Sequence, residues 1–71
     1  MDSRNLRAEM ARNGIRKNQV EKVMGLSAPS MFRRFQGSID FKVGELVKIR
    51  DTFFPELSLD YLAGFTDERG R

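Results

Sequence analysis

Between Met24 and Pro29 the chain has to stop one helix and start another within a few residues. Gly25 adopts the left-handed conformation cheaply, which closes a helix. Ser27 carries an oxygen that can accept a free N–H of the next helix, and Pro29 falls in that helix's first turn, where a missing N–H does no harm. Leu26 is an apolar plug between them. Before the turn, Val20, Val23 and Met24 recur at helical spacing; after it, Met31 and Phe35 lie four apart. The spacing predicts helices over about 17–24 and 28–36, joined by Gly25-Leu26-Ser27. Two short helices held at a sharp angle by a glycine-containing turn form a helix-turn-helix unit. The second helix then has Met31 and Phe35 on its inner side. Its outer side carries Pro29, Phe32, Arg33 and Gln36, with Ser30 and Arg34 flanking.

Similar punctuation divides the rest. Asp2 or Ser3 can cap a first helix whose apolar side is Leu6, Met10 and Ile15, and Gly14 ends it. A fourth helix, roughly 43–53, has an apolar stripe of Val43, Leu46, Val47, Ile49, Arg50 and Phe53, although Gly44 is a poor helix former in its first turn. Pro55 forbids continuation. Ser58 caps a short fifth helix with Leu59, Tyr61 and Leu62, ended by Gly64. The reading is one all-α domain over 1–71, four or five helices with a core from about 4 to 65. Residues 66–71 are expected to be a polar, frayed tail.

Composition narrows the function. The 71 residues include no cysteine and no histidine. A disulfide framework and a thiolate site are thereby ruled out, and a zinc site would need carboxylates alone. Neither metal nor cofactor is expected. No nucleophile–base constellation is visible, so an enzyme is not expected. No apolar run approaches the ~20 residues that span a bilayer, and the polar start lacks the apolar stretch of a secretory signal. The expectation is a soluble cytoplasmic protein with no membrane partner. The net charge of +3 is unevenly spread: residues 1–37 hold eight lysines and arginines against three acids, residues 38–71 five against seven. A basic half beside an acidic half suits an oriented molecule with one side for an anionic polymer.

The stretches Leu6 to Ile15, Lys17 to Phe35, Phe35-Gln36-Gly37 with Asp40-Phe41, Glu45-Leu46-Val47-Lys48-Ile49, and Ser58-Leu59-Asp60-Tyr61-Leu62-Ala63-Gly64 occur in order. Together they resemble the helix-turn-helix domains of phage Cro and lambda-type repressors, the xenobiotic-response-element family. The resemblance implies a lambda-repressor-like fold and a DNA-binding transcriptional regulator. By position, Ala28, Pro29, Ser30, Phe32 and Arg33 would face bases. Arg16 and Lys17, then Gly37, Ser38 and Lys42, would touch phosphates. Arginine can chelate a guanine edge, which suits Arg33, while Arg34 is assigned to a phosphate. Double-stranded operator DNA is the implied partner, bound by a homodimer.

The chain departs from the family pattern at four places. Glu21 stands where alanine or glycine is usual and must bend outward or pair with Arg33 or Arg34. Lys17 replaces a glutamine. Ala28 and Pro29 lack hydrogen-bonding side chains. Phe32 occupies a usually polar place, where it either joins the core through a slight rotation of the helix or meets a thymine methyl group or another protein. These departures support an alternative: a repressor modulator or antirepressor whose third helix binds a partner regulator. The apolar groups Phe53, Phe54, Leu57 and Tyr61 are numerous for a short segment, and some are expected to form a dimer seam.

Overall fold

A computed structural model describes residues 1–69. Five helices follow one another: α1 (Arg4–Arg12), α2 (Lys17–Met24), α3 (Ala28–Gln36), α4 (Val43–Phe53) and α5 (Leu59–Leu62). No β-strand occurs among the described residues. The all-α reading and its five helices hold. α1 packs on α5, α5 on α4, α4 on α2, and α2 on α3.

The expected local signals act where they stand. Gly25 takes φ 68° behind α2, and Ser27 accepts the amide of Ser30 at 3.3 Å. Ser58 accepts the amide of Tyr61 at 3.1 Å and starts α5. At α1 the two candidate caps divide the work. The Asp2 carboxylate accepts the amide of Arg4 at 2.9 Å, whereas the buried Ser3 hydroxyl donates to the Phe35 carbonyl at 3.1 Å. Ser3 therefore ties the start of α1 to the last turn of α3.

One core runs through all five helices: Leu6 and Met10; Val20; Met31 and Phe35; Leu46 and Ile49; Tyr61 and Leu62, with Phe41, Phe54, Leu57 and Ala63 from the connections. Phe35 and Phe41 meet edge to face, their ring centres 5.5 Å apart. Phe54, Leu57 and Tyr61, expected in part as a dimer seam, are buried, and Phe53 is half-buried against the same core. A domain this small has few large apolar side chains to spare from its one core. Val43, expected on the inner stripe of α4, is 73% exposed. It opens the helix at its solvent end, and Phe41 just before it fills the inward position instead.

The C-terminal segment is also not frayed through residue 69. Arg69 donates from Nε to Glu9 Oε2 at 2.9 Å and from Nη2 to Oε1 at 3.1 Å. Its carbonyl accepts the amide of Ser58 at 3.0 Å, and the Thr66 carbonyl accepts from Asn5 at 3.3 Å. Glu9 is fully buried on α1, and Tyr61 and Arg12 also donate to it. Burial alone would raise the Glu9 carboxyl. The hydrogen bonds from Arg69 and Tyr61 and the charges of Arg12 and Arg69 outweigh burial and hold it below the ordinary range. Residues 70 and 71 of the expected tail lie outside the described residues.

Candidate nucleic-acid interface

α3 is an amphipathic rod with its two faces clearly sorted. Met31 and Phe35 are buried, while Ala28, Pro29, Phe32, Arg33 and Gln36 are exposed. Phe32 keeps 56% of its surface open to solvent. The rod is therefore not rotated to sink Phe32 into the core. At 1.5 Å rise per residue, Ala28 and Phe32 lie ~6 Å apart along one face, with Arg33 a residue further round.

The polar groups on α3 are unequally available. Ser30 is half-buried; its hydroxyl accepts from Ser27 Oγ at 3.2 Å and its carbonyl accepts from Arg34 at 3.1 Å. Arg34 does not reach outward to a phosphate as expected. Its Nε donates to Glu45 Oε1 at 3.0 Å and its Nη2 to Oε2 at 3.1 Å, with only 11% of the side chain exposed. A planar guanidinium meeting a carboxylate in two parallel bonds is a strongly oriented contact. Glu45 also accepts the Lys42 amide at 2.9 Å, so one side chain both starts α4 and holds α3. Burial would raise the Glu45 carboxyl, but the bonds from Arg34 and from the Lys42 amide set it below the ordinary range. Arg33, its neighbour, is exposed and takes part in no ion pair among the described residues. Nor does Glu21 pair with either arginine: it is half-buried on α2, and Glu45 has taken Arg34.

The residues assigned to phosphate contacts flank α3. Arg16 is exposed just before α2, and its amide donates to Gln19 Oε1 at 2.7 Å, which secures the helix start. Lys17 is exposed, with Nζ 5.4 Å above the centre of the Phe35 ring. Such a cation–π contact steadies the ammonium beside the last turn of α3. In the α3–α4 loop, the amides of Gly37, Ser38 and Ile39 all point to the Arg33 carbonyl, at 3.1, 3.1 and 3.4 Å. The Gly37 and Ser38 amides thus close α3 rather than face outward, and the Ser38 hydroxyl donates weakly to Gln36 Oε1 at 3.4 Å. Lys42 stands exposed at the start of α4. Arg33, Ser38 and Lys42 are all exposed, on α3 and on the connection to α4 that the Arg34–Glu45 pair ties together.

Sequence reasoning missed one part of this arrangement. Glu45 was visible only as part of a matching string, though its place three residues after Lys42 is a capping signal. Gln36, read from the sequence as outward, is exposed and extends the outer face by one more turn.

A rigid outward helix, set by a glycine turn against a second helix and flanked by cations, defines a helix-turn-helix domain. The chain belongs to the BetR domain family, which it matches over residues 2–71; these are small helical domains classed with DNA-binding regulators. No curated protein and no solved structure matches the chain.

Proposed function

We propose that this domain is a cytoplasmic transcriptional regulator of the Cro and lambda-repressor kind, laying α3 in the major groove of operator DNA. The observation that carries the reading is the split of α3: Met31 and Phe35 are buried, whereas Ala28, Pro29, Phe32, Arg33 and Gln36 face solvent. The major groove of B-DNA is wide enough for one such helix. In this reading Arg33 contacts base edges and Arg16, Lys17, Ser38 and Lys42 contact phosphates. Arg34 positions α3 through Glu45 instead of touching DNA. Two copies on a two-fold operator would place their α3 helices ~34 Å apart.

The test is an NMR titration of the full chain with a short duplex from the intergenic DNA beside its gene, at two salt concentrations. The expected result is shifts at Lys17, Ala28 to Arg33 and Ser38 to Lys42 that weaken steeply with salt. Shifts spread over α1 and α5, or none, would reject the reading.

The exposed Phe32 beside Ala28 and Pro29 favours a second reading, in which α3 docks on a partner regulator protein. A salt-insensitive chain that binds no duplex but forms a stable complex with a neighbouring repressor would establish it.

A further inference from the structure

The outer face of α3 has an unusual chemical balance for a surface that reads DNA. Three of its forward residues, Ala28, Pro29 and Phe32, offer no side-chain hydrogen bond. All three are exposed, so their apolar atoms are not committed to the core. The half-buried Ser30 hydroxyl accepts from Ser27 and has only its own hydrogen to offer, and the Arg34 guanidinium is held by Glu45 and the Ser30 carbonyl. The exposed forward polar group is Arg33, with Gln36 one turn beyond.

The edges of the four base pairs in the major groove differ in donors and acceptors, but only thymine presents an apolar group there, its C5-methyl. An apolar side chain pressed on any other base edge would leave donors or acceptors without water and without a partner, which is unfavourable. Arginine, by contrast, matches the paired acceptors of guanine. The basic residues around the patch, Arg16, Lys17, Arg33 and Lys42, suit a polyanion better than an apolar protein surface.

We infer that α3 selects thymines through their methyl groups, with Phe32 as the main contact and Ala28 and Pro29 completing the apolar surface, and that Arg33 adds a guanine next to them. This rests on the DNA-binding reading and specifies what that reading recognises. The ~6 Å between Ala28 and Phe32 covers about two base-pair steps, so at least two thymines within one half-site are expected.

The experiment is selection of duplexes from a random pool by the full chain, followed by fluorescence anisotropy on the selected site. Each thymine is replaced singly by deoxyuridine, which removes the methyl group and leaves every hydrogen bond intact. For the unaltered chain, the substitution at the α3-facing thymines is expected to weaken binding about fourfold each, the factor for burying one methyl group. In Phe32→Ala the substitution is expected to lose its effect at the thymine that Phe32 covers and to keep it at a thymine covered by Ala28 and Pro29, while binding remains salt-sensitive. Circular dichroism confirms that the variant is folded, since Phe32 lies outside the core. Salt-sensitive binding with a thymine-free consensus, or with no response to deoxyuridine, overturns the inference and leaves the DNA reading standing. Failure to bind any duplex at low salt overturns both.

Discussion

The hydroxyl of Tyr61 donates to Glu9 across 2.7 Å, joining residues 52 positions apart in the dry interior between α5 and α1. The same carboxylate takes two bonds from Arg69 and one from Arg12. A buried carboxylate with this many donors is stabilising only while all are present. Glu9→Gln is expected to lower stability by about 2 kcal/mol, because the buried amide keeps one acceptor oxygen where the carboxylate has two and gives up the charge its donors meet. Tyr61→Phe is expected to lose only about 1 kcal/mol. Urea denaturation of both variants checks the ratio. Equal losses would show that the buried charge carries no special weight.

Acid sensitivity follows from two glutamates. Glu9 and Glu45 both titrate below their ordinary range in the folded protein. The unfolded chain therefore binds more protons than the folded one through that region. Their contribution to stability is complete above the ordinary glutamate range of ~4.3 and is lost as the pH falls through the lowered folded values. The melting temperature should be flat near neutrality and fall below about pH 4.5. Glu9→Gln should flatten that fall, as thermal melts across pH would reveal.

Arg33 and Arg34 are adjacent in sequence and opposite in role. Arg34→Ala breaks the paired bonds to Glu45 and is expected to cost about 2 kcal/mol of stability. Arg33→Ala should change stability by no more than about 0.5 kcal/mol, yet weaken DNA binding by about tenfold or more. Parallel denaturation and anisotropy measurements separate the two. A large stability loss in Arg33→Ala would contradict its free position.

Two glycines should respond in opposite directions to alanine. Gly64 has φ 84°, and a Cβ there would lie 2.7 Å from both Cβ and the carbonyl oxygen of Asp2. Gly64→Ala is expected to destabilise by more than the ~1–2 kcal/mol of the left-handed conformation alone. Gly44 lies in the first turn of α4 with open space around it. Gly44→Ala should stabilise by about 0.5–1 kcal/mol. Thermal melts of the two variants should therefore move apart.

Lys42 tests the phosphate side of the proposed complex. Lys42→Ala should weaken binding to all duplexes alike and reduce the slope of log affinity against log salt by about one. A sequence-dependent loss would move Lys42 to the base-reading set.

The helices were legible because their boundaries are written locally. Gly25, Ser27 and Pro29 set both edges of the turn before α3, and Pro55 and Ser58 frame the connection to α5. The outward face of α3 was legible for the same reason, since Met31 and Phe35 fix its inner side. Glu9 was not legible. Nothing within its own turn marks it as buried, and two of its partners come from the far end of the chain, 52 and 60 residues away. The bound C-terminal segment was misread for that reason, because its partners Glu9 and Asn5 lie far away in the sequence and Ser58 lies on the other side of α5. Arg34 was assigned to DNA by its position alone, whereas the capping carboxylate of Glu45 lay within reach on the next helix.

Glu45 holds the Arg34 guanidinium and the Lys42 amide at once. The backbone of α3 and that of Lys42, just before α4, are tied through one carboxylate, so together they act as a gauge of set opening. In the proposed complex, a duplex whose major groove is wider or narrower than that opening would lose one grip whenever it gained the other. Sequences that alter groove width would then be discriminated at base pairs the protein never touches.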